Sequence, residues 1–222
     1  MKIKRIVLAL IALLMALSLC SCGTKIQYNG EDNSYTDKKG NVYLRASSAY
    51  EPVSYKTDKT FGKLIAGIGE FDLYQIANAP EGEWVTTADG DVLYREGVKL
   101  PALGEFETSH IYVCREGESI HAFANITKAE DVAAILKVYL EGESIPYPSK
   151  TAEQNLRLRF ASDEYPFLYY RLVYLEYTSD VIVYTTDENG NEVGTNYGKY
   201  FIYNRDDGRC VPAGDVVHTY VQ

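Results

Sequence analysis

The chain is poor in the residues that build reactive and cofactor-binding centres: among 222 residues it has three histidines, four cysteines, two methionines and one tryptophan. His110, His121 and His218 stand far apart, with no His-x-His or His-x3-His spacing to bring two imidazoles onto one ion, so no metal site is expected. There is no Gly-x-Ser-x-Gly elbow, no Ser-x-x-Lys and no glycine-rich phosphate loop, which leaves no catalytic residue and no cofactor to assign. Basic charge is also scarce. Lys and Arg number 22 against 31 Asp and Glu, a net charge of −9 that becomes −12 beyond residue 21, since Lys2, Lys4 and Arg5 are the only charges before it. Such a chain lacks the basic footprint that neutralises phosphates, which argues against a nucleic-acid partner and against adhesion to an anionic surface by charge alone.

What the sequence does have begins at its N-terminus. Lys2, Lys4 and Arg5 precede an apolar run from Ile6 to Leu19 interrupted only by Ser18, the layout of a secretory signal peptide. A membrane-spanning helix needs about 20 apolar residues, more than this run supplies. The run ends in Leu19, Cys20, Ser21, Cys22, Gly23, which resembles the lipobox of bacterial lipoproteins: an aliphatic residue three before the cysteine, a small residue just before it, and a lipid-accepting cysteine. Cys20 departs from that pattern in a conservative way. The resemblance covers about the first tenth of the chain. It implies export, cleavage before Cys22, a diacylglycerol on its sulfur, and residence at the cell membrane on the extracytoplasmic face; two acyl chains anchor stably where one is marginal.

Tyrosine is abundant at 20 residues, and it suits half-exposed sheets and recognition surfaces alike. Beyond the lipobox only Cys114 and Cys210 remain, and export permits them to pair. Cys114 sits in the apolar run HIYVC, so two buried free thiols are an equal alternative to a disulfide.

The order of elements predicts an α+β fold, predominantly antiparallel sheet with one packed helix. Residues 1–21 read as signal peptide and 22–40 as a lipidated polar tether. Residues 41–108 read as a β-rich sub-domain: VYLRA, PVSYK, FDLYQIA, EWVTT and DVLYRE are separated by turn material, as in a meander. Residues 109–222 read as an α+β sub-domain, with one continuous domain as the alternative. Within it, 109–115 and 119–126 suggest a hairpin. A helix over 128–140 is marked by a Thr127/Glu130 capping box and by Val132, Ile135, Leu136 and Tyr139 at helical spacing. Leu156, Leu158 and Phe160 alternate with Arg157 and Arg159, the pattern of a strand with one wet face. Asn189-Gly190 and Asp207-Gly208 predict hairpin turns, and 213–220 a short terminal helix or turn. The acidic 187–192 stretch misses the glycine and glutamate positions of a helix-loop-helix calcium site, so it reads as a turn.

One constellation points toward a ligand. Arg157, Arg159 and Arg171 would line the polar face of the last sheet, near Tyr165, Tyr169, Tyr170 and Tyr174, of which Tyr170 and Tyr174 are the candidate contacts, since guanidiniums offer paired donors and tyrosines flat contact area. The competing account is cross-strand pairing of these arginines with carboxylates such as Glu176. The expected role is a non-catalytic binding or interaction module that meets the membrane through its lipid and an unidentified protein, small molecule or glycan through its fold. The alternatives are a cell-envelope hydrolase with a carboxylate site, or an envelope assembly or inhibitor protein.

Overall fold

The computed structural model describes residues 24–31, 34–66, 69–115 and 121–222; the expected signal peptide and Cys22 lie outside them. Eight strands occupy the first half: β1 (Thr24–Asn29), β2 (Ser34–Asp37), β3 (Val42–Arg45), β4 (Tyr50–Pro52), β5 (Tyr55–Ala66), β6 (Gly69–Ile76), β7 (Trp84–Thr87) and β8 (Val92–Arg95). All but β4 close into a barrel in the order β1-β2-β3-β8-β7-β6-β5. Its neighbours are antiparallel except at the closure, where β1 runs parallel to β5 with Thr24 beside Gly62 and Ile26 beside Leu64. Ile26, Tyr35, Tyr43, Leu64, Leu73, Val85 and Leu93 fill its interior.

The polar stretch expected as a tether is therefore corrected: from Thr24 to Asp37 it supplies two strands of the barrel wall. Its polarity hides a short alternation in which Ile26 is fully buried between the outward Lys25 and Gln27. Its polar groups are also satisfied locally. Asp37 accepts from the backbone N–H of Lys39 and Asn41 and from the Asn41 side chain, fixing a turn that Gly40 completes at a φ of 83°. A segment whose polar atoms pair among themselves can form strands without an apolar composition.

The second half contributes β9 (Thr108–Arg115), β10 (His121–Ile126), the helix α1 (Ala129–Glu141), β11 (Gln154–Ser162), β12 (Leu168–Glu176), β13 (Ile182–Thr186), β14 (Glu192–Asn196), β15 (Tyr200–Tyr203) and β16 (Cys210–Pro212). An antiparallel sheet runs β10-β9-β11-β12-β15-β16, and β13 and β14 form a separate ribbon. The fold is α+β, mostly antiparallel sheet with one packed helix. Strand β4 leaves the barrel to pair with the start of β12, setting Glu51 beside Tyr169. The halves consequently share one core, in which Tyr50, Trp84 and Val92 join Phe106, Leu158, Phe167 and Leu172. A division at residue 108 cuts through that core.

The helix packs as its periodicity predicts, with Val132, Ile135 and Tyr139 buried. Its cap differs: Lys128 is the N-cap and makes no side-chain cap bond, so the Thr127/Glu130 box does not form. Other groups hold the ends. The Tyr220 hydroxyl donates to Asp131 in the first turn, and Arg209 donates to the carbonyls of Tyr139 at 3.1 Å and Gly142 at 2.6 Å at the other end, where orphan acceptors and the dipole favour a cation. The 213–220 segment forms two 3-10 turns, Gly214–Val216 and His218–Tyr220. Cys114 and Cys210 are free and buried. They lie on β9 and β16 with β11, β12 and β15 between them, about 19 Å by inter-strand spacing and far beyond the roughly 7 Å a disulfide spans.

Candidate functional site

Strand β11 sets the site. Leu156, Leu158 and Phe160 are buried toward the helix, so Arg157 and Arg159 emerge on the opposite face. The register places Arg157 between Cys114 and Val173, and Arg159 between Tyr112 and Arg171. Glu51 reaches this face from β4 and takes both guanidiniums. Arg159 binds it in a two-pronged contact, with Nε 2.9 Å from Oε2 and Nη2 on Oε1, and Arg157 Nη1 lies 3.3 Å from Oε1. The three side chains are only 13 to 16% exposed.

Cross-strand charge pairing thus occurs, with Glu51 in place of Glu176. Glu176 pairs in register with Gln154, beyond the reach of these arginines. It accepts from the Tyr174 hydroxyl at 3.4 Å and lies 3.4 Å from His218 Nδ1. The tyrosines grouped with the arginines also divide. Tyr170 packs edge-on against Tyr50 and Phe106, and Tyr174 is fully buried beside Tyr200, all in the core. Tyr169 is the residue that shares the arginine face: the Arg159 guanidinium lies 5.2 Å from its ring, and Tyr112 and His110 continue the aromatic row. Strand parity separates them, because odd positions of β12 accompany Arg171.

Arg171 Nη2 donates to the Ser48 carbonyl at 2.6 Å, and Asp206 accepts from Ser48 Oγ and from the Ala49 N–H. Burial opposes ionisation of Asp206, yet the hydrogen bonds from Ser48, Ser47 and Ala49 outweigh it and hold the carboxyl below its usual range. These bonds pin the β3–β4 connection to the sheet and leave a cleft between them. The cleft has a volume of about 550 Å³, with Arg45, Ser48, Glu51, Asp89, Arg157 and Arg171 among its walls. Adjoining it, the mouth of the barrel forms a hollow of about 260 Å³ floored by Tyr35, Leu64 and Leu93 and flanked by Phe71, which is 50% exposed. Arg45, Asp89 and Asp91 border both spaces. A charged chamber beside an apolar one is the arrangement by which a pocket orients a small ligand.

The carboxylates of this cleft are largely engaged. Asp91 lies 2.6 Å from Arg45 Nη2, and Glu51 serves two arginines. Elsewhere Ser109, His110 and Asp163 meet, with Ser109 Oγ 3.0 Å from His110 Nδ1 and 3.2 Å from Asp163 Oδ1. Here the hydroxyl bridges the other two groups, whereas nucleophilic catalysis needs the imidazole in the middle, oriented by the acid. The His121 side chain lies outside the described residues. Among the described residues no group of three His, Cys, Asp or Glu side chains could hold a metal ion. No family model matches the chain, and neither a curated protein nor a solved structure is similar to it.

Proposed function

We propose that the chain is a lipoprotein, cut before Cys22, lipid-anchored on the extracytoplasmic face of the cell membrane, and that its folded part is a non-catalytic binding module. The observation that carries the binding role is the two-part cleft at the barrel–sheet junction, in which Glu51 and Asp91, two of its three acids, are held by arginines rather than poised opposite one another. Acid–base hydrolysis needs two carboxylates driven to different protonation states. A cleft of paired charges beside an apolar seat instead suits a small polar or zwitterionic molecule with a nonpolar part. The test is a thermal-shift series on the full-length protein in detergent, with amino acids, carboxylates, amines and sugars as probes. Stabilisation that disappears in Arg45→Ala or Arg171→Ala supports binding; hydrolysis of a chromogenic ester or glycoside that Asp91→Asn abolishes would overturn it. The anchor has its own test. Cys22→Ser should lose radiolabelled palmitate and leave either released protein or uncut precursor, and normal labelling refutes the assignment.

A second reading, contact with another envelope protein, draws on the β13–β14 ribbon. Among the described residues its strands pair only with each other, and Ile182, Tyr184 and Val193 are 47, 60 and 45% exposed. Open strand edges with apolar side chains are sites of strand addition. Crosslinking from native membranes that Tyr184→Ser abolishes, while the cleft variants leave it intact, would favour this reading.

A further inference from the structure

The barrel begins almost at the anchor. Thr24 is the first residue of β1, and Ile26 is already fully buried in the wall. Only Gly23 separates Thr24 from Cys22. Two residues reach at most about 7 Å even when fully extended, so a lipid on Cys22 leaves no room for a spacer.

Strand direction then decides which end of the barrel meets the bilayer. β1 starts at one mouth and ends at the other, and β2 returns antiparallel with Ile26 beside Asp37. The turn after β2, residues 38–40, therefore lies at the same mouth as Thr24. Lys38 and Lys39 are exposed on it, and the bonds from Asp37 hold its shape. At the opposite mouth are the end of β3 at Arg45, the β7–β8 turn carrying Asp89 and Gly90, and the start of β6 with Phe71. These residues border the two chambers described above. Six residues of strand, tilted as barrel strands are, separate the mouths by about 15 Å.

We infer that the barrel docks directly on the phospholipid surface through the mouth formed by Thr24 and the Lys38–Gly40 turn, and that it holds the cleft at the far mouth, open away from the membrane. The occupant follows from the length of chain between anchor and fold. Exposed Lys38 and Lys39 face the headgroups beside exposed Glu96 at the same mouth, so the short reach of the anchor rather than net charge seats the barrel there. The inference rests on lipidation of Cys22.

The test uses the full-length, processed protein in phosphatidylcholine–phosphatidylglycerol vesicles that carry a nitroxide on the lipid headgroup. Lys39→Cys and Asp89→Cys are labelled separately with a fluorophore; Cys114 and Cys210 are buried and stay unlabelled. Severalfold stronger quenching at position 39 than at position 89 is the expected result. Vesicle-bound protein quenched equally at both positions, or more at 89, overturns the docking and leaves the anchor standing. Protein that remains in the aqueous phase overturns the anchor and the docking with it.

Discussion

The barrel and the second sheet are both built of antiparallel strands, yet they are held together differently. Among the described residues the barrel's apolar core is seven buried side chains, and the barrel closes on itself through β1 and β5. The sheet is covered on both faces: α1 and the terminal turns lie over one, and Ile145, Tyr177 and Val181 pack with Val173, Leu175 and Phe201 on the other. A barrel satisfies its backbone by closure and needs little interior, whereas an open sheet must be buried to be stable. The largest losses should accordingly come from the sheet. Phe160, wholly buried in β11 between β9 and β12, should cost about 3–5 kcal/mol as Phe160→Ala. Urea denaturation measures this, and a loss under about 1 kcal/mol would mean that the sheet does not depend on its central strand.

The junction between the two regions comes next. Glu51→Ala leaves Arg157 and Arg159 desolvated without their shared carboxylate, and removing one partner of a buried pair costs about 3–5 kcal/mol. A change confined to about 1 kcal/mol would show the cluster to be as well solvated as a surface pair. Within the barrel, Ile26→Ala should cost about 2–4 kcal/mol. A tether residue would cost nothing measurable, so this variant decides directly whether residues 24–29 belong to the wall.

These three sites also mark what the sequence could reveal. Phe160 was legible, because alternation with Arg157 and Arg159 declares a strand and its buried face without knowledge of the neighbours. The helix stripe was legible for the same reason. Ile26 was not: one isoleucine among polar residues carries no period, and its burial depends on β5, some 40 residues away, running parallel beside it. Glu51 was not legible either, since it meets Arg159 only because β4 crosses from barrel to sheet. The same applies to the cleft, whose walls come from four separate stretches of chain. Of the tyrosines near these arginines in sequence, Tyr169 shares their face while Tyr170 and Tyr174 turn into the core, because strand parity rather than nearness in sequence decides the face.

The smallest effect sharpens the comparison by pH, through a carboxyl held low in the barrel and a thiol and a phenol held high in the second half. In the barrel, burial works against Asp37 ionising, but hydrogen bonds from Asn41 and Lys39 prevail and hold its carboxyl below the usual value. Its contribution is present above the ordinary aspartate range and is lost as pH falls through the lowered folded value. In the second half, burial raises the thiol of Cys210 on β16 to about 11 and the phenol of Tyr139 on α1 to about 12. Their contributions are complete below the unfolded values near 9 and 10 and are lost as pH rises toward those folded ones, because the unfolded chain releases these protons first. For Cys210, fully buried, the alkaline loss is about 3 kcal/mol at most. Hydrogen exchange should therefore show the Asp37 turn loosening on acidification, and β16 and the end of α1 loosening above about pH 9. Cys210→Ala should flatten part of the alkaline decline while leaving the acid side unchanged. Both thiols should resist Ellman's reagent in the folded protein at pH 8 and react fully in denaturant; rapid reaction in the folded state would place Cys114 or Cys210 in water and remove the basis for the alkaline half of the comparison.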